Sequence, residues 1–299
     1  MIAQRFRRVL IHDHSGRHVK CWLSGLADYL REDGAEVRVV SDSLYPGALR
    51  RSIRKNRGIL CPLALRWWRK QVSQVDHVFV WNGEREFHQS IRQACRLERV
   101  PCSIVEVGYF PQKRYFTVDS RGINATSSLM DDSLDWIQAK HLDRVEDIRQ
   151  THLCGKRWEG DGGYVAVPLQ MANDTNIVLH SSFSTMQEFI RHCEIKFPNQ
   201  RVLFKKHPRD PGEYESMHPI HAGGSFLDLA VSAKLVYGIN STCLLESVLL
   251  GAPTQSIGKG FISAHQHQLD KLLAALVDKQ IPVNEKDMGY WLDKYCAER

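Results

Sequence analysis

The chain has 299 residues, of which 43% are hydrophobic and 25% are charged, and its formal net charge is +6. This composition supplies enough apolar residues for a folded core and excludes intrinsic disorder, collagen-like repeats and a coiled coil. No apolar run approaches the ~18–20 residues that a membrane-spanning helix needs, and the N-terminus lacks the apolar stretch of a secretory signal. We therefore expect a soluble, cytoplasmic protein of one large domain or two ordinary ones.

The first half of the chain alternates short β-rich runs with stretches of helical periodicity. Strands are predicted at Arg8–Asp13, Glu36–Ser41, His77–Asn82 and Pro101–Val107, with helices over His18–Asp33 and from Glu84 between them. This β-α-β-α order predicts parallel strands joined by crossover helices, as in an open doubly wound sheet. The segment Gly108–Ser128 interrupts the pattern.

A helix containing Leu134 and Ile148 is predicted next, and we interpret the glycine-rich segment Cys154–Gly163 as an interdomain linker. The alternation then restarts. Strands or strand-like segments are predicted at Tyr164–Leu169, Ile177–His180, Arg201–Lys206, Leu235–Ile239 and Pro253–Ile257, and helices at Ser184–Lys196, Phe226–Lys234, Ser241–Leu250, Leu269–Val277 and Met288–Cys296. The sequence thus predicts an α/β fold of two Rossmann-like parallel-sheet domains, residues 1–158 and 159–299, facing a cleft.

Ligands of open α/β sheets bind beyond the carboxyl ends of the strands, so polar residues that directly follow a strand are the first candidates for a site. Lys205, Lys206, His207 and Pro208 follow one predicted strand, and Arg209 comes next. A histidine beside several cations offers charge-assisted donors to a phosphate, and it could protonate or stabilise a departing phosphate oxygen. The alternative is a surface basic cluster in which the proline is incidental.

The run Asn240-Ser241-Thr242 leads from a predicted strand directly into a helix. Unpaired backbone N–H groups and the helix dipole make such a junction an anion site, to which the hydroxyls add donors. Glu246 lies about one turn into the helix, where its carboxylate could accept hydrogen bonds from a ribose diol. The alternative is an ordinary N-cap that only starts the helix.

Glu106 ends a strand of the first half, two residues before Gly108, and Asp119 follows thirteen residues later. A carboxylate at a strand end can serve as a general base or a nucleophile. The alternative is a solvated glutamate at the edge of a loop.

Other chemistries have weaker support. The close histidine pairs lack metal-ligand spacing, no CxxC occurs among the eight cysteines, and no GxGxxG, GxxxxGK[ST] or GxSxG motif is present. The acid-free segment Ser43–Val75 carries a basic stretch, Arg50–Lys70, with Trp67 and Trp68. We interpret this stretch as a contact for an anionic membrane surface rather than for nucleic acid, because no nucleic-acid-binding module accompanies it.

Several segments together resemble one known family. They are Glu106–Phe110 with Thr117–Asp119 and Gly122–Asn124, Pro168–Gln170 with Asp174–Ile177, Met186–Phe189, Lys206–Pro208, and Asn240–Pro253. In this order they resemble the capsule polysaccharide biosynthesis family, whose members of the KpsS and KpsC type are bacterial Kdo transferases.

The resemblance implies a GT-B-like glycosyltransferase that uses the keto-acid sugar Kdo activated as CMP-Kdo and needs no metal or other cofactor. His207, Lys205, Lys206 and Pro208, together with Asn240, Ser241 and Thr242, would then bind the donor phosphate, with Glu246 on the ribose. Glu106 would act at the reacting centre as nucleophile or base. Asp119 and Asn124 are candidates for an acceptor contact or a second acid.

Two alternatives remain open from the residues alone. A sialyltransferase or another CMP-sugar transferase would use the same phosphate-binding residues. A non-catalytic surface-polysaccharide assembly protein would keep the fold and bind a partner or membrane. For the first hypothesis we expect a lipid-linked glycan acceptor, from lipopolysaccharide core or a capsule lipid linker, transfer with retention, and a place on the cytoplasmic side of the inner membrane.

Overall fold

A computed structural model describes residues 6–13, 19–41, 62–84, 86–171 and 174–298. The strands are β1 (Arg8–Asp13), β2 (Glu36–Ser41), β3 (His77–Trp81), β4 (Cys102–Val107), β5 (Tyr115–Asp119), β6 (Tyr164–Pro168), β7 (Arg201–Lys205), β8 (Ile220–His221), β9 (Leu235–Gly238), β10 (Thr254–Ser256) and β11 (Gln280–Pro282). The helices are α1 (Val19–Glu32), α2 (Pro62–Val72), α3 (Glu86–Glu98), α4 (Ala139–Leu153), α5 (Thr175–His180), α6 (Met186–Lys196), α7 (Phe226–Ser232), α8 (Thr242–Leu250), α9 (Phe261–Ala264), α10 (Leu269–Lys279) and α11 (Gly289–Tyr295).

The chain forms two compact units, and the first combines its two ends. Unit 1 comprises residues 1–128 and 279–299, and unit 2 comprises residues 129–278. The predicted boundary at 158/159 differs from this division in two respects. Helix α4 belongs to unit 2, and the last 21 residues return to unit 1 because β11 pairs with β5.

Unit 1 contains a six-stranded sheet of order β11-β5-β4-β3-β1-β2. The four strands β2, β1, β3 and β4 are parallel, whereas β5 runs antiparallel to β4 and β11 antiparallel to β5. Alternate residues of these strands face opposite sides of the sheet. Val9 and Phe79 pack in the core that contains residues of α1 and α11, whereas Leu10 and Val78 pack in the core that contains residues of α2 and α3. Helices therefore cover both faces of the sheet, as in doubly wound proteins.

Unit 2 contains a five-stranded parallel sheet of order β10-β9-β6-β7-β8. Its central strand β6 is completely buried, as expected for a strand covered on both faces. On one face, Val165 and Val167 pack in the same core as Phe189 and Ile190 of α6. On the other face, α7 packs against β6 and α8 packs against β9. The predicted α/β fold of two Rossmann-like units with mainly parallel sheets is confirmed.

Several predicted elements differ from the observed ones. The segment Ile177–His180, predicted as strand-like, lies in helix α5, where the N–H groups of Ile177 and Val178 donate to the carbonyl of Asp174. The predicted helix around Leu134 begins only at Ala139, because Leu134 adopts a left-handed backbone with φ of 59°.

The segment Gly108–Ser128, predicted to be irregular, contains the antiparallel strand β5. The predicted linker Cys154–Gly163 lies inside unit 2, where the indole of Trp158 donates to the carbonyl of Ala233. Of the basic stretch Arg50–Lys70, residues 50–61 lie outside the described residues. Within the described part of the chain, no helix is long and apolar enough to cross a bilayer.

Candidate functional site

Three neighbouring strands of unit 2 end together at one edge of the sheet. Strand β6 lies between β7 and β9, with Pro168 opposite Lys205 in the β6–β7 register. The chain then continues into Gln170 after β6, His207 after β7 and Asn240 after β9. The structure therefore brings the two predicted phosphate-binding runs, Lys205–Pro208 and Asn240–Thr242, to the same carboxyl edge.

Lys205 places a buried positive charge at this edge. Its side chain is only 4% exposed, and its ammonium donates to the carbonyls of Lys206 at 2.9 Å and Ala222 at 3.0 Å. Among the described residues, no carboxylate forms an ion pair with it. Two carbonyls use two of the three N–H donors, so one donor remains for a ligand. A buried cation without a counter-ion favours an anionic ligand.

His207 is half-buried and has its two ring nitrogens in different roles. Its Nδ1 accepts a hydrogen bond from the backbone N–H of Arg209 at 3.1 Å, so the proton of the neutral ring lies on Nε2. Burial, followed by the positive charge of Arg209, lowers the pKa of His207 below its ordinary value of 6.5. The ring is therefore a neutral imidazole at pH 7, with Nε2–H as a hydrogen-bond donor.

Asp210 fixes the turn that follows His207. Its N–H donates to the carbonyl of His207, and its carboxylate accepts from the N–H of Gly212 and, at 2.6 Å, from the hydroxyl of Tyr214. Burial and the Asp210 carboxylate both raise the pKa of Tyr214, which keeps that hydroxyl protonated and donating. Pro208 is exposed and holds His207 in extended geometry.

A buried amide network, which the sequence interpretation missed, joins the ends of β6 and β9. The Nε2 of Gln170 donates to Asn240 Oδ1 at 3.3 Å and to Asp174 Oδ2 at 3.2 Å. Asn240 in turn donates from Nδ2 to the carbonyl of Lys259 at 3.1 Å. Gln170 follows a predicted strand, so the same strand-end criterion that selected His207 could have selected it.

The N-terminus of α8 completes this edge. Ser241 is the N-cap, and its Oγ accepts from the N–H of Cys243 at 3.3 Å. Thr242 begins the helix and is half-buried, so its hydroxyl and the positive end of the helix dipole lie at the same edge. Glu246, one turn later, is 26% exposed and contacts the Nε2 of His152 from α4 at 3.0 Å. Its predicted ribose contact stays a prediction.

Glu106 of unit 1 lies near the end of β4 and is held by a neighbouring strand end. Its Oε2 accepts from Asn82 Nδ2 at 2.8 Å, and Asn82 follows β3 with a left-handed φ of 61°. Asn82 also accepts from the N–H of Glu84 at 3.3 Å, and Glu84 accepts from the hydroxyl of Thr126 at 2.5 Å. The orientation of the Glu106 carboxylate is therefore fixed by a side chain that the sequence interpretation treated as the last residue of a strand.

Asp119 is buried among hydrogen-bond donors. Its carboxylate accepts from the N–H groups of Arg121 and Gly122, from the hydroxyl of Ser127 and, at 2.7 Å, from the ammonium of Lys279. Burial alone would raise the pKa of Asp119, but the Lys279 charge and these hydrogen bonds outweigh it, so the pKa lies below its usual range. These surroundings suit a structural ion pair that joins β5 to the C-terminal segment. Asn124, which was predicted together with Asp119 as an acceptor contact or second acid, starts a 3₁₀ turn.

Two histidines from the close pairs in the sequence, His12 and His265, have packing or hydrogen-bonding partners. The ring of His12 lies against those of His88 and Trp68, at centroid distances of 5.1 and 5.6 Å. His265 contacts the carbonyl of Leu129 at 2.7 Å. Among the residues that the structure describes, no group of three His, Cys, Asp or Glu side chains could hold a metal ion. The expectation that transfer needs no metal stays a prediction.

Comparison with known proteins adds relatives of this fold. The structure is similar to the β-Kdo 2,7 transferase of KpsC from Thermosulfurimonas dismutans, with a TM-score of 0.60, 16% identity, and coverage of 96% of this chain and 100% of that one. It is similar to the β-Kdo 2,4 transferase of the same protein, with a TM-score of 0.62, 16% identity and 91% coverage of both chains. At this identity the likeness concerns the fold.

Sequence comparison finds a curated relative and a family. Protein FixF of Sinorhizobium fredii is 26% identical over 66% of this chain and 52% of its own length, so the match spans about half of that relative. The model of a protein family, described as capsule polysaccharide biosynthesis protein, matches residues 130–265. This range includes Lys205, His207 and Asn240–Glu246. This match confirms the predicted resemblance to the capsule polysaccharide biosynthesis family over residues 130–265, most of unit 2.

Proposed function

We propose that the protein is a glycosyltransferase that moves Kdo from CMP-Kdo to a lipid-linked surface glycan, on the cytoplasmic side of the inner membrane. The observation that carries this proposal is the carboxyl edge of unit 2, where Lys205 and His207 at the end of β7 and the α8 N-terminus after β9 lie on either side of β6. This edge lies within the segment that matches the capsule family. The names of the KpsC structures support Kdo as the sugar.

The donor phosphate would be bound by neutral and charged donors together. The Nε2–H of His207, the remaining N–H of Lys205 and the Ser241 and Thr242 hydroxyls are all suited to phosphate oxygens. A keto-acid sugar also carries a carboxylate, for which half-buried Lys206 is the nearest candidate along the chain. The buried amides of Gln170 and Asn240 would hold the strand ends in place.

These donors would contribute more to the transition state than to donor binding. When the bond between the anomeric carbon and the phosphate oxygen breaks, its electron pair stays on the phosphate, whose charge changes from −1 to −2. Interactions that strengthen as this charge develops lower the barrier. No metal is needed if Lys205 and the helix terminus supply the positive charge.

Glu106 would supply the carboxylate at the anomeric carbon. In a retaining reaction the carboxylate attacks that carbon as CMP leaves, and the acceptor hydroxyl then displaces it, so the configuration inverts twice. In an inverting reaction the same carboxylate would instead take the proton of the acceptor hydroxyl. A sugar adduct on a Glu106 peptide, found by mass spectrometry after rapid quenching with CMP-Kdo, supports the nucleophile role.

The test is a donor screen with purified protein and an extract of bacterial envelope glycolipids. We expect CMP release and a Kdo mass increment on a lipid from CMP-Kdo, and neither from CMP-sialic acid. His207→Ala should abolish transfer, whereas the control His267→Ala, at an exposed position of unit 2, should keep it. Transfer from CMP-sialic acid alone would revise the donor. Neither binding nor cleavage of either donor would favour a non-catalytic assembly role.

A further inference from the structure

An open groove of about 520 Å³ lies beside α2 in unit 1. Three cationic side chains line it, namely Arg66, Arg69 and Lys70, together with Ser73 at the end of the helix and Glu98 at the end of α3. The three cations belong to the part of the basic stretch that the structure describes, Ser73 follows α2, and Glu98 belongs to the helix packed against it. None of them belongs to the candidate site described above.

The positive charge of this groove is only partly neutralised. Arg69 forms an ion pair with Glu98, with Nε and Oε1 2.6 Å apart. Arg66 and Lys70 form no ion pair with any described residue, and both are exposed. With one acid against three bases, the groove keeps a net charge of about +2, which favours an anionic partner.

Two leucines that are sequence neighbours of groove residues are exposed. Leu63, beside the groove residue Pro62, is 60% exposed, and Leu97, beside Glu98, is 48% exposed. The opposite face of α2 is fixed in the core through Ala64, Trp68 and Val72. The outward face of α2 is therefore a rigid surface that carries cations next to exposed leucines.

We propose that this α2 groove, Arg66, Arg69, Lys70 and Ser73, docks the phosphate headgroups of an anionic lipid surface, with Leu63 inserted at the headgroup level. Charge complementarity and adjacent apolar side chains are the two features that interfacial binding needs. An open groove with exposed cations is a poor site for a small free anion, which would remain largely solvated there. This proposal rests on the proposed function in one respect, namely that docking would bring unit 1 to a lipid-linked acceptor.

The first experiment is co-sedimentation of the full chain with vesicles of phosphatidylcholine alone, or with about one-third phosphatidylglycerol. We expect binding only to the anionic vesicles and its loss in high salt. Because each basic residue near such a surface contributes about a fivefold factor in partitioning, Arg66→Glu with Lys70→Glu should weaken binding by about 25-fold or more. The matched control, Lys140→Glu with Lys286→Glu, makes the same change of net charge at exposed positions and should bind nearly as the parent does.

Two further measurements separate the alternatives. Leu63→Ser should weaken binding to anionic vesicles without changing the net charge. Circular dichroism and denaturant unfolding of the Arg66→Glu, Lys70→Glu variant should match those of the parent, which shows that unit 1 is folded and keeps this test independent of the proposed transfer activity. The proposal would be overturned if the control variant lost as much vesicle binding as the groove variant, or if the groove variant bound as the parent does. It would also be overturned if millimolar inorganic phosphate competed with the vesicles, or if polyuridylate captured the protein more tightly than vesicles do.

Discussion

At the scale of single residues, the imidazole of His207 combines two constraints that define its chemistry. The backbone N–H of Arg209 occupies Nδ1, and burial with nearby positive charge lowers the pKa of the ring. A group with these properties donates a hydrogen bond through Nε2 without carrying charge. It would gain a proton only if the Nδ1 contact were broken.

The difference in CMP affinity between the parent and His207→Ala should therefore stay constant above pH 6.5, because the ring is mainly neutral there and the ionisation of the CMP phosphate affects both proteins alike. Any change should appear only as the pH falls below that value and the ring begins to gain a proton. A titration calorimetry series would measure this profile. A difference between the two proteins that shrinks steadily from pH 6 to 8 would show that the charged imidazolium is the binding form.

Replacing the ring tests which nitrogen matters. His207→Ala should weaken CMP binding by about 1.5–3 kcal/mol, as expected for a hydrogen bond to a charged group. His207→Gln, whose amide can donate from a position close to Nε2, should recover most of that loss. Equal losses in the two variants would argue against an Nε2–H contact with the phosphate.

Asp119 illustrates a residue whose charge supports the fold. Asp119→Asn should lower the free energy of unfolding by about 3–5 kcal/mol, because it removes the carboxylate that compensates the buried Lys279 ammonium. The control Asp135→Asn removes an exposed partner of Lys271 and should cause no measurable change in denaturant unfolding. A loss of activity with unchanged stability would instead support Asp119 as an acceptor contact.

The pH dependence of this pair has a definite sign. Because the pKa of Asp119 is depressed in the folded protein, its contribution is fully present above the unfolded value of about 3.9 and is lost as the pH falls through the folded value. The stability difference between parent and Asp119→Asn should thus shrink below pH ~4. A difference that grows with acidity would contradict the ion pair.

At the scale of elements, strand ends decide where the polar residues meet. The sequence was sufficient to predict that Lys205–Pro208 and Asn240–Thr242 follow strands, because each run directly succeeds a short apolar segment. It did not predict the contact of Gln170 with Asn240, since these residues are 70 positions apart and meet only when β6 lies beside β9. Strand order is set by long-range packing and is not encoded in local periodicity.

The missed strands have a similar cause. The expectation of crossover helices favoured parallel strands, so the antiparallel β5 was treated as irregular chain although Tyr115–Asp119 is strongly apolar. Strand β11 has only three residues, too few for a periodic signal, and its partner is more than 160 positions earlier. The alternation of apolar segments predicts the central strands well and the edges of a sheet poorly.

The N-cap of α8 offers a test that separates folding from binding. Ser241→Ala should destabilise the protein by about 1 kcal/mol, whereas Ser241→Gly should cost only a few tenths. Both variants lack the hydroxyl, so they should lose the same CMP affinity if that hydroxyl contacts the phosphate. If Ser241→Ala instead lost more CMP affinity than Ser241→Gly, in parallel with its larger loss of stability, Ser241 would act only as the helix cap.

At the scale of the whole molecule, one unit is continuous in sequence and the other is not. Unit 2 uses a single stretch, whereas unit 1 needs residues from both ends of the chain. Sequence composition placed the boundary at the glycine-rich segment near residue 158, but composition does not reveal that the last strand returns to the first sheet. That information lies in the pairing of Ile281 with Phe116.

Deleting residues 280–299 should therefore unfold unit 1 selectively. The deletion removes Ile281, Met288 and Leu292 from its core, and large apolar losses of about 2–5 kcal/mol each exceed what a domain of 5–15 kcal/mol tolerates. Limited proteolysis with mass spectrometry should show cleavage within residues 6–128, while CMP binding by unit 2 persists. Loss of both together would mean that the units fold as one cooperative block.

The position of β11 near the end of the sequence constrains when the sheet of unit 1 can be completed during synthesis. The ribosome releases residues 129–278, all of unit 2, before it releases Gln280–Pro282. Until then the edge of β5 that pairs with β11 has no partner strand. The carboxylate of Asp119 also lacks its ion pair with Lys279, which lies 160 residues further along the chain. Unit 2 can therefore form the carboxyl edge that carries Lys205 and His207 while the sheet of unit 1 still lacks its last strand, and that sheet can be completed only after residues 280–282 have been translated.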